Sequence, residues 1–229
     1  MNDIYDNNMR FIPLLKFLDK HKYVLIASVA TILLLISFFV VSNQISKQKH
    51  NEAASIYSKW LIEISKDDPD LIEIDNMLSS FVNDYQDTGY ALIALLTKAN
   101  LDAKNGNLDS ALVNFNKIIE FTDGYRGNKV FNKLARVSSA RINLSNGQVE
   151  EALEKIQGYS STDTNAYIHE LTGDILAEQN KSELAIKQYQ LASEKYSDQT
   201  SKSIISMKIA NLDNGCLLYT SDAADDGLC

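Results

Sequence analysis

The side chains best suited to metal ligation, proton transfer or nucleophilic attack are His21, His50 and His169, with Cys216 and Cys229 near the end of the chain. No two of the histidines have metal-ligand spacing. His169 reads as a half-buried helix residue rather than a base. The acidic run Asp67-Asp68-Pro69-Asp70 lacks the alternating oxygen ligands and the glycine of a calcium loop, so it reads as a solvated turn. There is no phosphate-cradling glycine loop and no G-x-S-x-G elbow. Asn143-Leu144-Ser145 and Asn180-Lys181-Ser182 match glycosylation acceptors, but both fall at helix ends. The expectation is a chain with no catalytic residue, no metal and no cofactor. The sequence holds 22 basic and 30 acidic residues, a net charge of −8, and residues 42–215 alone carry 18 basic and 24 acidic groups. That balance opposes a nucleic-acid footprint, which needs a basic face. What remains is recognition of other proteins.

Such recognition has to be positioned, and the first positioning element is Tyr23–Val41. This stretch is 19 residues long and uncharged. As a helix it spans roughly 29 Å, close to the roughly 30 Å hydrocarbon core of a bilayer. Its polar groups are the hydroxyls of Ser28, Thr31, Ser37 and Tyr23. The first three can bond back to helix carbonyls, and Tyr23 suits the membrane interface. A buried helix of a soluble domain this size would be less uniformly apolar. A signal peptide has a shorter apolar region, about 7–15 residues, and then a small-x-small site; here Ser42-Asn43-Gln44-Ile45 follows. The stretch therefore reads as a retained transmembrane anchor. Met9–Lys22 reads as a short interfacial helix. Lys16, Lys20 and Lys22 precede the span, whereas Lys47 and Lys49 follow only after an uncharged Ser42–Ser46. The positive-inside rule then places residues 1–22 in the cytoplasm and the remainder outside it, in the periplasm of a Gram-negative cell.

Beyond the anchor the pattern is helical. Ala53, Ile56, Tyr57, Trp60, Leu61 and Ile64 make one apolar face, with Trp60 in the core. Pro69 is placed to open the next helix, which carries Leu71, Ile74, Leu78, Phe81, Val82 and Tyr85. A triplet then recurs. Ala99, Ala140 and Gly173 are each followed seven residues later by Gly106, Gly147 and Asn180, and five residues beyond those by Ala111, Ala152 and Ala185. The physical reading is a helix hairpin. A small residue on helix A allows close approach, Gly or Asn takes the left-handed conformation that ends helix A, and an alanine on helix B faces the small residue. Phe115, Ile156 and Tyr189 fill the space behind. Hairpins of this kind must stack to bury their faces. Ile204, Ile205, Met207 and Ile209 suit a final helix covering the open end.

This pattern resembles the tetratricopeptide repeat, although the closing proline is missing and Leu95, Arg136 and His169 stand where a large residue is usual. The implied fold is all-α, a single transmembrane helix followed by a tetratricopeptide-repeat-like right-handed α-solenoid of stacked helix hairpins. More narrowly, LARVSSARINLSNGQVEEALEKIQG, ELTGDILAEQNKSELAIKQYQLA and MKIANL, together with the tail-and-span architecture, resemble the YfgM family, ancillary subunits of the bacterial SecYEG translocon. The resemblance implies an inner-membrane protein with its N-terminus in the cytoplasm. It also implies a periplasmic repeat domain that works with translocon components and periplasmic chaperones, with protein clients and no enzymatic activity. The other reading is a structural scaffold for a different envelope complex of division or assembly. The expected organisation is a cytoplasmic tail at 1–22, a transmembrane helix at 23–41 and a periplasmic helical domain at 42–212. CLLYTSDAADDGLC resembles the conceptual translation of a sequencing-library adapter, so residues 213–229 are expected to be a non-native tail.

In repeats of this kind helix A lines the inner wall. The residue after each small helix-A position then points into the groove, which selects Asn100, Arg141 and Asp174. Glu170 lies one turn before Asp174, and Tyr167 a turn before that. This mixed wall of polar, charged and aromatic side chains is the expected partner-binding surface.

Overall fold

The computed structural model describes residues 16–125, 127–159 and 165–223, with side chains through Asp213. Half of the proposed Met9–Lys22 helix, residues 9–15, therefore lies outside the described residues. Residues 16–20 are helical, and a turn at His21 separates them from the next helix. The chain forms two compact units, Met1–Lys59 and Trp60–Cys229.

The first unit is dominated by helix α1, Lys22–Ile64, whose 43 residues continue into the second unit. It contains no glycine or proline that would interrupt it. Its most apolar window is long enough to cross a membrane, and none of that window is buried by protein. Leu34 and Phe38 are more than 70% exposed, the state of a helix whose surroundings must supply the apolar contact. Ser28 Oγ donates to the Val24 carbonyl at 2.7 Å and Thr31 Oγ1 to the Ala27 carbonyl at 2.9 Å. The hydroxyls are thus satisfied within the helix, as a span requires.

The second unit begins with Trp60, fully buried, whose indole Nε1 donates to the Ile74 carbonyl at 3.3 Å. Helix α2 is Leu71–Tyr85, α3 Gly89–Lys104 and α4 Leu108–Thr122. Helix α5 is Lys129–Ser145 and α6 Val149–Ile156, followed by a 3-10 turn at Gln157–Tyr159. Helix α7 is Ala166–Glu178, α8 Ser182–Lys195 and α9 Gln199–Ala223. Each helix from α2 onward packs on the next, and α5 also packs on α7. No strand occurs among the described residues. The architecture is the all-α stack of hairpins that the triplet predicts. The α2 start differs in detail. Pro69 does not open the helix; Asp70 caps it, its carboxylate accepting from the Ile72 and Glu73 amides at 3.0 Å each.

The three A-to-B corners share one geometry. Gly106, Gly147 and Asn180 have φ of +82°, +74° and +57°. After each, the next amide reaches back five residues: Asn107 to Asp102, Gln148 to Asn143 and Lys181 to Leu176, at 2.8, 2.8 and 2.9 Å. The corner amides themselves bond three residues back, to Ala103, Leu144 and Ala177. This pair of bonds satisfies carbonyls that a helix end otherwise leaves open. Ala99, Ala140, Ala111, Ala152 and Ala185 are all fully buried, and Phe115, Ile156 and Tyr189 nearly or wholly so. In the third copy the small residue must be glycine. A Cβ on Gly173 would lie 2.5 Å from Tyr189 Cε1 and 2.6 Å from its Cδ1.

Ala140, Ala152, Ile156, Leu171 and Ile175 form one core joining the second and third hairpins. Leu176, Ala185, Tyr189, Ala192 and Ile205 form the next, which α9 covers. Of the four residues expected to cover the end, Ile205 is fully buried and Ile209 packs on the core. Ile204 and Met207 instead are 41% and 59% exposed, because they lie on the outer side of α9. The α9 backbone remains helical to Ala223, past the expected natural end near Leu212. The side chains of the adapter-like segment and residues 224–229 lie outside the described residues.

Polar groups also bind the stack. Lys98 is buried on α3, with Nζ 2.7 and 2.9 Å from the Asp102 carboxylate and 3.0 Å from Asp75 of α2. Ser110 Oγ of α4 adds a bond to Asp102 at 2.7 Å. The Lys98–Asp102 pair thus ties three helices. Burial opposes the charge on Lys98, but Asp102 and Asp75 hold its pKa above the ordinary lysine value.

Candidate functional site

Three recesses lie along the A helices, one between the α3–α4 hairpin and α5 and two between α5 and α7, which pack side by side. Arg141 lines all three. The first, about 280 Å³, includes Asn100, Ser138 and Ser145. A second, about 330 Å³, includes Tyr167, Glu170, Leu171 and Asp174. The third and largest, about 510 Å³, includes Lys129, Val130, Lys133, Leu134, Val137, Tyr167 and Ile168. All five residues selected from the sequence therefore line recesses that share Arg141. Arg141 is the shared member, its guanidinium 5.8 Å from the centre of the Tyr167 ring, within cation–π range. Burial pushes the Tyr167 phenol up, with the Arg141 charge opposing.

The acidic members are not free. Lys208 reaches across from α9, its Nζ 2.8 Å from Glu170 Oε1 and 2.7 and 2.9 Å from the two Asp174 oxygens. Tyr196 donates to Glu170 Oε2 at 2.6 Å and Tyr189 to Asp174 Oδ1 at 2.8 Å. Lys208 Nζ also lies 5.7 Å from the centre of the Tyr189 ring. Burial disfavours charge on Glu170, but Lys208 and Tyr196 overcome it and hold the carboxyl below its ordinary range. Burial likewise opposes the Lys208 charge, and the two carboxylates raise its pKa above the ordinary value. Burial and their carboxylate acceptors push the phenols of Tyr189 and Tyr196 up, so both stay protonated donors. This end of the wall is a part-buried network of mutually paired groups rather than a row of free charges.

Two features escaped the sequence reading. In the sequence Lys208 is one residue of the terminal helix, with nothing local to mark its partners 34 and 38 positions away. The stripe Val130, Leu134, Val137, Arg141 was not singled out, although its spacing of four, three and four marks one helix face. Val130 is 76% and Leu134 44% exposed, while the opposite face of α5 buries Ala135, Ser139 and Ala140. A helix that is apolar on a second face beyond its core face is the signal that could have found it.

The histidines take no part. His169 is fully buried rather than half-buried, with Nδ1 2.8 Å from Gln188 Oε1. Among the described residues no cluster of three or more His, Cys, Asp or Glu is placed to hold a metal.

Comparison with known proteins gives results at two levels. The curated ancillary SecYEG translocon subunit of Aggregatibacter actinomycetemcomitans is 24% identical to the chain over 165 residues, 72% of this chain and 77% of that protein. It is the kind of protein that the blocks at 134–158 and 170–212 resemble. No solved structure matches. The tetratricopeptide repeat-like domain family matches residues 16–214, nearly the whole described chain. With three left-handed corners, three buried pairs of small residues and a helix-A wall in place, the chain belongs to the tetratricopeptide repeat-like domain family.

Proposed function

We propose that this protein is a membrane-anchored periplasmic protein-binding module, an ancillary subunit of the Sec translocon that links translocated proteins to periplasmic chaperones. The observation that carries the binding role is the row of recesses sharing Arg141 on the α5 and α7 wall. A wall of mixed polarity with an aromatic and an arginine anchor suits contact with protein surfaces. The translocon as partner rests on similarity to a protein of that name, and the location on the apolar stretch of α1 with its flanking lysines. The module acts by binding and not by catalysis, and α1 crosses the inner membrane once with the N-terminus in the cytoplasm.

Affinity purification of the full chain from detergent-solubilised membranes tests the assignment. Recovery of translocon subunits supports it. Their absence, with another envelope complex recovered in their place, assigns the chain to the scaffold role. Site-specific photocrosslinking from positions 141, 167 and 174, against outward positions 155 and 187 on the B helices, tests the surface. Equal or stronger crosslinking from the outward positions removes the groove from the interface.

A further inference from the structure

Two of the three hairpin corners are Asn-Gly pairs, Asn105-Gly106 and Asn146-Gly147. The third places Asn180 itself in the left-handed position and continues with Lys181. The remaining Asn-Gly pair, Asn214-Gly215, lies in the expected non-native tail. Asn-Gly is the dipeptide in which a backbone amide most easily attacks a side-chain carbonyl, because glycine sets no side chain beside the attacking nitrogen. Asn105 and Asn146 are exposed, so water and hydroxide reach them. The folded corner nevertheless holds the reacting atoms apart. Asn105 has φ −85° and ψ 2°, and Asn146 has φ −87° and ψ 3°. Ring closure needs Cβ and the glycine nitrogen nearly eclipsed about the Cα–C bond. At ψ near zero the tetrahedral Cα keeps them about a third of a turn apart. The nucleophile is also engaged. Gly106 N donates to the Ala103 carbonyl at 3.2 Å, and Gly147 N to the Leu144 carbonyl at 3.0 Å. One residue on, Asn107 and Gln148 lock the same corners through their 2.8 Å bonds to Asp102 and Asn143. Rotating either ψ into the reactive range carries the glycine amide away from these bonds.

We infer that Asn105 and Asn146 are modification sites of this chain, converted to aspartyl and isoaspartyl residues through a cyclic imide, and that each corner admits the reaction only when its hairpin opens. At the second corner, hydroxide takes the Gly147 amide proton and the nitrogen attacks Asn146 Cγ. The N–Cγ bond forms, the Cγ–Nδ2 bond breaks, and Nδ2 takes a proton from water and leaves as ammonia. Water then opens the five-membered imide. Cleavage at Cγ restores the backbone and leaves aspartate. Cleavage at the main-chain carbonyl carbon routes the backbone through the side chain as isoaspartate. No atom changes oxidation state. Either product places a carboxylate at the C-terminal end of helix A, the negative end of its dipole. The isoaspartyl form also adds a methylene to the backbone, so Gln148 no longer meets Asn143 in register. A hairpin that opens often is thus marked permanently, and at Asn146 the mark falls on the hairpin whose core joins the third. Asn180 is spared, because the Lys181 side chain crowds the attacking nitrogen, and the three corners age unequally.

The experiment incubates the full chain in detergent micelles at physiological temperature and mildly alkaline pH, with and without guanidinium chloride. Peptic peptides, generated in acid where the reaction is slow, are weighed by mass spectrometry. Each converted asparagine gains about one mass unit, and chromatography separates the aspartyl from the isoaspartyl product. Conversion at Asn105 and Asn146 is expected to be about tenfold or more faster in the unfolded chain than in the folded one, with Asn180 lagging behind both. Ala152→Leu, which overpacks the second hairpin, is expected to speed conversion at Asn146 severalfold in a chain that is still folded by circular dichroism. If that variant does not fold, Ile156→Val trims the same core more gently. Asn146→Gln removes the product at that corner and leaves conversion at Asn105 unchanged. Equal rates in the folded and unfolded chain overturn the inference. So does conversion at Asn180 as fast as at the Asn-Gly pairs, or an unchanged rate at Asn146 in a second-hairpin variant whose melt confirms lost stability.

Discussion

Substituting Gly173→Ala adds one methyl group at the most crowded corner of the stack. The new Cβ would meet two carbons of the Tyr189 ring at 2.5 and 2.6 Å and a third at 3.1 Å. These are well inside van der Waals contact, near 3.5–4.0 Å. The ring has little room to yield, because its hydroxyl is held by Asp174 at 2.8 Å and Lys208 sits over its face. Overpacking of this kind costs about 1–3 kcal/mol. Removing a mid-helix glycine returns roughly 0.5–1 kcal/mol. The expected net loss is about 1–2 kcal/mol, a Tm lower by roughly 3–6 °C for a domain of this size. The second hairpin supplies the control. It pairs Ala140 with Ile156, both fully buried, so Gly173→Ala combined with Tyr189→Ile recreates that pair in the third hairpin. Thermal melts of the four proteins make a double-mutant cycle, and the two substitutions together should cost less than the sum of their separate costs by about 1 kcal/mol or more. A Gly173→Ala protein as stable as the parent, or a cycle with no coupling, refutes the packing argument.

Three further outcomes are expected. Ala152→Leu, at a fully buried site facing Ala140, should cost about 1–3 kcal/mol in denaturant unfolding. Asp102→Ala should cost about 3 kcal/mol, the lower end for breaking a buried pair, because Asp75 still contacts the stranded Lys98 ammonium. Lys208→Met should lose about 1–2 kcal/mol at neutral pH, and the loss should depend on pH. Glu170 has a lowered folded pKa, so its contribution is present above its unfolded value of about 4.5 and fades as pH falls through the folded one. Parent and variant melts should therefore converge in acid, and a constant gap there contradicts the role given to Lys208.

The fold was legible where chemistry is local. Small residue, left-handed corner and alanine each express a constraint on one position, and Gly106, Gly147 and Asn180 meet it with positive φ. The five groove positions followed from the same register. The charged ties were not legible, because pairing depends on contacts remote in sequence. Lys208 meets Asp174 across 34 positions, and Lys98 of α3 meets Asp75 of α2. In a sequence each looks like an ordinary surface charge. Asn132 is similar, a polar residue on α5 whose amide reaches the Ile119 carbonyl and Thr122 hydroxyl of α4 at 3.2 and 3.1 Å. The connection between those helices gave one local clue. A Cβ on Gly127 would fall 1.9 Å from the Thr122 carbonyl oxygen, so the chain returns there at a distance only glycine permits.

The Lys208 bridge also sets a rate. Where each hairpin leans only on its neighbours, opening begins at the ends and the interior follows. Ile205 and Lys208 lie on the same terminal helix. The event that lifts Ile205 from Tyr189 and Ala192 therefore releases Glu170 and Asp174 in the same step. Two carboxylates that are paired with Lys208 in the closed stack lose that partner only as often as α9 comes away, and amide hydrogen exchange along residues 199–213 measures that frequency. The recess rimmed by Lys129 and Lys133 is lined by no residue of α9, so its rim does not change when that helix comes away.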